Sequence, residues 1–194
     1  KDVERKQYLE TAVRHCSRLT GLVDELLELA RLDSCEHISY SEPFSLSELA
    51  QDIVQKYRLK ASEMNIELHT QSAEASPPVY GDIGMLERVL ENLIGNALQH
   101  TTAGGRVSVE MTPRGEHGVV RFTDTGCGIP KEELEHVFDR FYRAGNSTSD
   151  TDQHAGLGLA IARRIIELHG SHIEVSSEEG KGTEFSFSMP AAPA

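Results

Sequence analysis

A chain of 194 residues, 38% hydrophobic and 26% charged, has the length for one globular domain plus an appendage and enough apolar residues for a real core. Its formal net charge of −12 argues against a nucleic-acid partner, because contact with a phosphate backbone draws on clustered Lys and Arg. Cys16, Cys35 and Cys127 are odd in number and form no C-x-x-C pair, so they point to neither a disulfide framework nor a thiolate zinc site, and a reducing, cytoplasmic setting is expected. No apolar run approaches the ~20 residues of a membrane span, so any membrane anchor is expected in segments preceding this sequence.

Leu9, Val13, Cys16, Thr20, Val23, Leu27 and Ala30 recur at alternating spacings of four and three, which predicts a helix over residues 1–33 with a heptad seam. Leu19 and Leu26 widen the stripe beyond a two-stranded coil and suit a bundle helix, which cannot bury such a stripe alone. Residues 34–44 read as a polar linker, with room for a short strand, ending near Pro43. A second domain, 45–190, opens on Ser45-Leu46-Ser47-Glu48, a capping box that starts a helix through Leu49, Ile53, Val54 and Tyr57. Ile66, Leu68 and Thr70 alternate as a strand, 76–78 is a turn, and Asp82 caps a helix reaching about His100. Val107, Val109 and Met111 form a strand, 114–118 a hairpin turn, and Val119, Val120 and Phe122 a second strand. Pro130 fits the first turn of a short helix ending near Phe138. Residues 143–153 are polar and aperiodic, a long loop, followed by a helix over 157–169 and strands around 173–175 and 183–189. A four-residue tail, 191–194, closes the chain. Helices and strands mix without regular alternation, so the expected class is α+β, with helices on one face of a mixed sheet.

The helix after Asp82 has two faces. Leu86, Leu90, Leu93, Ile94, Ala97 and Leu98 form an apolar one, while Arg88, Asn92, Asn96 and Gln99 align on another. Asn92 and Asn96, one turn apart, are candidates to present amide oxygens to a hard cation such as Mg²⁺, although from this segment alone a solvated helix face is the simpler account. Gly95, costly in mid-helix, points to close approach of a ligand to the backbone. In Asp124-Thr125-Gly126-Cys127-Gly128-Ile129-Pro130 the two glycines permit a tight turn beside a planar ligand, and Asp124 offers an acceptor for an exocyclic amine; a plain turn is the competing account. Gly156-Leu157-Gly158-Leu159 opens a helix whose free amides suit phosphate, or merely forms an N-terminal turn. Neither the Rossmann fingerprint nor the P-loop pattern is present.

In order, Asn92…Asn96, Asp124-x-Gly126-x-Gly128, Phe138-Asp139-Arg140-Phe141-Tyr142-Arg143 and Gly156-x-Gly158 resemble the N, G1, F and G2 boxes of bacterial sensor histidine kinases. The resemblance covers nearly the whole chain, with residues 1–33 similar to the second helix of the dimerisation and phosphotransfer hairpin. It implies the two-layer α/β sandwich of the histidine kinase, gyrase, Hsp90 and MutL ATPases. It implies ATP and Mg²⁺ as ligands, with Asn96 the metal ligand, Asp124 the adenine partner, and Asn92, Asn96 and Arg143 the catalytic set. It further places Gln99, His100, Gly126, Gly128, Ile129, Arg140, Phe141, Gly156, Leu157, Gly158, Leu159 and Thr183 around the nucleotide, and makes 143–155 the ATP lid. It implies phosphoryl transfer to a histidine on the first bundle helix and then to a response regulator aspartate, a homodimer formed through the bundle, and an inner-membrane sensor of which this is the cytoplasmic portion.

The chain departs from the family pattern in three places. Lys commonly stands three residues after the metal Asn, with Tyr next, where this chain has Gln99 and His100. A cationic phosphate contact is absent at that position. Gln153, His154 and Ala155 replace glycines before the G2 box, and no acceptor-histidine motif occurs; His15 is followed by Cys16 and Ser17 and reads as a surface residue. Where the related ATPases carry a water-activating Glu, Asn92 stands, which favours transfer over hydrolysis. A histidine phosphotransferase, a hydrolytic ATPase of the same superfamily and a nucleotide-binding scaffold without catalysis remain the competing functions.

Overall fold

The computed structural model describes residues 2–72, 78–142 and 156–192, with side chains from residue 5 onward. Four helices, α1 (Asp2–Ser34), α2 (Leu46–Glu63), α3 (Ile83–His100) and α4 (Gly158–Leu168), accompany seven strands among the described residues. These are β1 (Glu42–Phe44), β2 (Glu67–Ser72), β3 (Val79–Gly81), β4 (Arg106–Arg114), β5 (His117–Asp124), β6 (Ile173–Glu178) and β7 (Gly182–Pro190). Five strands form one mixed sheet in the order β2-β4-β5-β7-β6, with β2 parallel to β4 and the other pairs antiparallel. β1 and β3 make a separate antiparallel pair.

Alternation sets the sheet's two faces. Val107, Val109 and Met111 of β4, Val120 and Phe122 of β5, and Phe185, Phe187 and Met189 of β7 point inward and are buried. Their neighbours Ser108, Glu110, Arg121, Glu184 and Ser186 line the outer face, where Arg121 pairs with Glu184 across β5 and β7 at 3.2 Å. One apolar face means one helical layer, and α2, α3 and α4 pack on it: the α+β two-layer sandwich expected from the sequence.

Two of the helices are started by side-chain caps. Ser45 Oγ accepts from Glu48 N–H at 3.2 Å at the head of α2, and Asp82 Oδ1 accepts from Met85 N–H at 2.9 Å at the head of α3. Leu86, Leu90, Leu93, Ile94 and Leu98 of α3 are fully buried, each contributing about 1.5–3 kcal/mol of transfer free energy. His169, just past α4, ties two helices together: its Nδ1–H donates to Ile165 O (2.7 Å) and its Nε2 accepts from Asp82 N–H (3.1 Å). That bonding requires a neutral ring, and burial holds the His169 pKa below 6.5.

Two local expectations are corrected. Pro130 opens only a 3-10 turn, Lys131–Glu133, and the chain then runs in turns to Tyr142. The segment is anchored by buried Val137 and by the Phe138 ring, edge-on to Phe185 with centroids 6.1 Å apart, and two adjacent anchors do not make the i, i+3, i+4 face that a longer helix would bury. β3 was not anticipated; three residues are too short for period-two alternation to register, although Val79 is fully buried and bridges Ala191.

α1 behaves differently along its length. Tyr8, Leu9, Val13, Leu19, Val23, Leu26 and Leu27 are exposed, while Leu29 and Leu32 are buried near its end. There α1 packs on α4, and Arg164 donates to the Leu32 and Cys35 carbonyls at 3.2 and 2.7 Å, capping the helix end with a cation.

Candidate nucleotide site

The polar face of α3 opens onto a cavity of about 360 Å³. Asn92, Asn96, Gln99 and His100 line one wall. Asp124, Gly128 and Ile129 contribute from the turn after β5, Thr183 from β7, and Gly156, Gly158 and Leu159 from the start of α4. Residues distant in sequence are brought together because α3 buries its apolar stripe in the core and turns the opposite, amide-bearing stripe to the cavity.

Several backbone features are tied to this cavity. A Cβ at Gly126 would collide with the His100 carbonyl, and Gly128, at φ 69°, has no room for one against the Glu178 carbonyl. Both glycines are therefore required by close approach of the turn to α3 and to the β6–β7 hairpin. Gly95 is the opposite case: a Cβ there would meet nothing within 4 Å, so protein packing does not demand glycine at this point of the cavity wall.

Asp124 is 5% exposed, and its Oδ1 accepts from the Gly126 N–H at 2.8 Å and the Thr183 N–H at 3.3 Å. Both bonds fall on Oδ1, so Oδ2 is the oxygen left for a ligand. Burial pushes the carboxyl above its ordinary range, opposed by the two backbone N–H groups and by nearby His100. Across the cavity, α4 begins without a side-chain cap, leaving its first amides for an anion. Asn92 approaches this end, since a Cβ on Gly158 would lie 3.3 Å from its Oδ1, and its Nδ2 is buried without a partner among the described residues.

No group of three or more His, Cys, Asp or Glu residues gathers as a metal site among the described residues. The donors at hand, the Asn92 and Asn96 amide oxygens, fit a hard cation that takes its remaining ligands from water and phosphate. The orphaned Asn92 amide at the same place fits a ligand as well.

Of the other sequence candidates, Gly126, Arg140, Phe141 and Leu157 fall outside the cavity lining. Leu157 is fully buried in the core. Arg140 pairs with Asp33 of α1 at 2.7 Å. Phe141 is 60% exposed, adopts φ 63°, and donates its N–H to Gly156 O at 3.0 Å, closing the two ends of the 143–155 segment. Arg143, with the expected lid 143–155, lies outside the described residues. Conversely Glu25, Tyr57, Lys60 and Glu91 line the cavity with no ligand role expected of them, Tyr142 does so from the motif it shares with Arg140 and Phe141, and Arg88 from the polar face of α3. Arg88 carried a sequence signal in its i, i+4 spacing to Asn92, and Glu91 stands beside it on α3 itself; Glu25 arrives from α1, and Tyr57 and Lys60 from α2, which packs on α3.

A sequence profile of the family described as "Histidine kinase-, DNA gyrase B-, and HSP90-like ATPase" matches residues 81–193. The sensor histidine kinase RppB of Synechocystis sp. is 35% identical over 94% of this chain and 40% of its own length. The sensor protein kinase PmrB of Pseudomonas aeruginosa is 36% identical over 91% of this chain and 36% of its own. The structure of full-length ShkA in complex with AMPPNP aligns with a TM-score of 0.83 at 29% identity, covering 95% of this chain and 38% of that one. That of the histidine kinase ThkA in complex with the response regulator protein TrrA aligns at 0.77 with 28% identity, covering 97% and 52%. The chain thus spans well under two thirds of these relatives, and none of its described helices is long and apolar enough to cross a membrane. With the profile covering more than half of the residues and the two-layer sandwich in place, the chain belongs to the histidine kinase-, DNA gyrase B- and HSP90-like ATPase family.

Proposed function

We propose that this chain binds ATP with Mg²⁺ and is the catalytic part of a sensor histidine kinase, passing the γ-phosphoryl group to a histidine of the dimerisation bundle and thence to a response regulator. One observation carries the nucleotide reading: a single cavity gathers the amide face of α3, a buried carboxylate with one oxygen left for a ligand, and the uncapped start of α4. Asp124 Oδ2 accepts from the adenine amine, the bare backbone at Gly95 leaves room for the nucleotide against α3, and the α4 amides receive phosphate. Asn96, with Asn92, would hold Mg²⁺, which neutralises phosphate charge when bound. Arg143 is assigned to the phosphates by its place in the motif.

Asn92 is a neutral amide and cannot take a proton from water, so the site favours a side-chain acceptor over hydrolysis. Positioning then supplies most of the catalysis, with the acceptor imidazole in line with the γ-phosphate. The exposed stripe of α1 supports the bundle: Leu9, Val13, Val23 and Leu27 are half or more exposed, as expected of a face that pairs in a homodimer. The RppB and PmrB relatives and the ThkA–TrrA complex support the kinase and response regulator reading, and a cytoplasmic placement beneath a membrane sensor accords with it.

Calorimetric titration with Mg-ATP tests this site directly. Asn96→Ala and Asp124→Ala are each expected to weaken binding by tenfold or more, about the loss of one charged or metal-mediated contact. Binding that survives in both variants would show that the nucleotide sits elsewhere.

A further inference from the structure

Arg88 lies one helical turn before Asn92 and lines the same cavity, yet its guanidinium is engaged by α1. Nε donates to both Glu28 oxygens at 3.2 and 3.1 Å, and Nη2 lies 3.0 Å from Glu28 Oε2 and 4.0 Å from Glu25 Oε1. Glu25 stands in the cavity wall, its Oε2 buried without a hydrogen-bond partner among the described residues. Burial pushes its carboxyl above the ordinary range against the pull of Arg88, with Glu28 adding to the rise. One guanidinium therefore serves two carboxylates, and the less well satisfied of the two faces the space where phosphate would enter.

We propose that Arg88 is a ligand of the terminal phosphate held in reserve by α1: an entering triphosphate competes with Glu28 and Glu25 for the guanidinium, and its capture loosens this stretch of α1 from the catalytic body. The inference rests on the nucleotide reading above. The chemistry permits a near-even exchange, because the planar guanidinium fork that holds a carboxylate also holds a phosphate. The distance along α3 supplies selectivity. The His100 end of α3 abuts Gly126 beside Asp124, whereas Arg88 lies three turns back, one beyond Asn92 and two beyond Asn96, so a diphosphate anchored at Asp124 is expected to end short of it. The coupling is reciprocal: whatever the docked carboxylates cost the triphosphate, the triphosphate costs the docking of α1. Arg164 and Arg140 hold the end of α1 independently, so the expected response is loosening rather than release.

The test titrates the 194-residue chain with a non-hydrolysable ATP analogue and with ADP, each with Mg²⁺. Arg88→Gln is expected to weaken the analogue about tenfold and ADP less than about twofold, a coupling of ordinary size. Arg88→Lys, which retains the charge, keeps a preference for the analogue and guards against a folding artefact. Glu28→Gln tightens the analogue severalfold, and the gain vanishes in Glu28→Gln/Arg88→Gln. Amide exchange over residues 24–34 speeds up with the analogue and not with ADP. Equal effects of Arg88→Gln on both nucleotides, a gain from Glu28→Gln that persists without Arg88, or unchanged exchange in α1 would each overturn the assignment. An Asn96→Ala arm separates the two readings: if it loses both nucleotides while Arg88→Gln discriminates between neither, only the Arg88 assignment falls.

Discussion

α1 and α3 are both long helices with a clear apolar stripe, and the molecule treats them in opposite ways. In α3 the stripe from Leu86 to Leu98 is sealed against the sheet and α4, and the opposite stripe faces the cavity, so both faces have a job within the chain. In α1 the stripe read from the heptads, Leu9 to Leu27, stands in solvent, and the helix docks instead by Leu29 and Leu32, with Glu25 and Glu28 reaching Arg88. Amphipathicity states that a face needs a partner. It does not state which partner, nor which of two faces meets the body of the protein.

The largest effect expected from this difference concerns catalysis. Incubated with labelled ATP, the chain alone should gain no acid-labile phosphate, whereas a separately supplied bundle hairpin carrying the acceptor histidine should be labelled, slowly, because α1 must leave solvent to rebuild the bundle. Acid-labile label on the isolated chain that disappears in His15→Ala would break the comparison by making α1 its own acceptor.

Stability should separate the two stripes next. Leu93→Ala removes a fully buried side chain and is expected to cost about 2–5 kcal/mol in denaturant unfolding. Leu19→Ala, at a residue 61% exposed, should stay within about 0.5 kcal/mol in dilute solution. A large loss at Leu19 that grows with protein concentration would reveal that α1 already pairs with a second copy.

A smaller effect should appear at the junction that fixes α3. His169 is neutral in the fold, with its pKa held below 6.5, so on acidification the unfolded chain takes up the proton first. Stability is then intact above pH 6.5 and falls as pH drops below it, because the unfolded state binds more protons in that window. Melting curves between about pH 7.5 and 5.5, a range spanning the ordinary histidine pKa, should show this slope, and His169→Gln should flatten it. An unchanged slope in that variant would assign the pH dependence to other groups.

The smallest effect is expected at the polar face of α3. Gln99→Lys restores a cation where the family often has one and should tighten triphosphate binding by up to about fivefold, the scale of a partly solvated charge pair, with little change for adenosine. Equal gains for both ligands would place Gln99 away from the phosphates.

How much of this was legible beforehand follows from the range of each signal. Strand alternation at Val107–Val109–Met111, the caps Ser45 and Asp82, and the spacing of Asn92 and Asn96 act within a few residues, so the sequence alone determined the main elements, the α+β class and the amide face of α3. β3 and the turns after Lys131 escaped because three residues, or an adjacent pair of anchors such as Val137 and Phe138, leave no periodic trace. Only the tertiary structure decided that Gly95 faces open space while Gly126 abuts His100. It alone decided that Arg140 turns to Asp33, and that Glu25 of α1 and Lys60 of α2 stand in the cavity wall. Those placements depend on how α1 packs on α4, α2 on α3 and the turn after β5 on the end of α3, an energy summed over side chains far apart in the chain that no local pattern encodes.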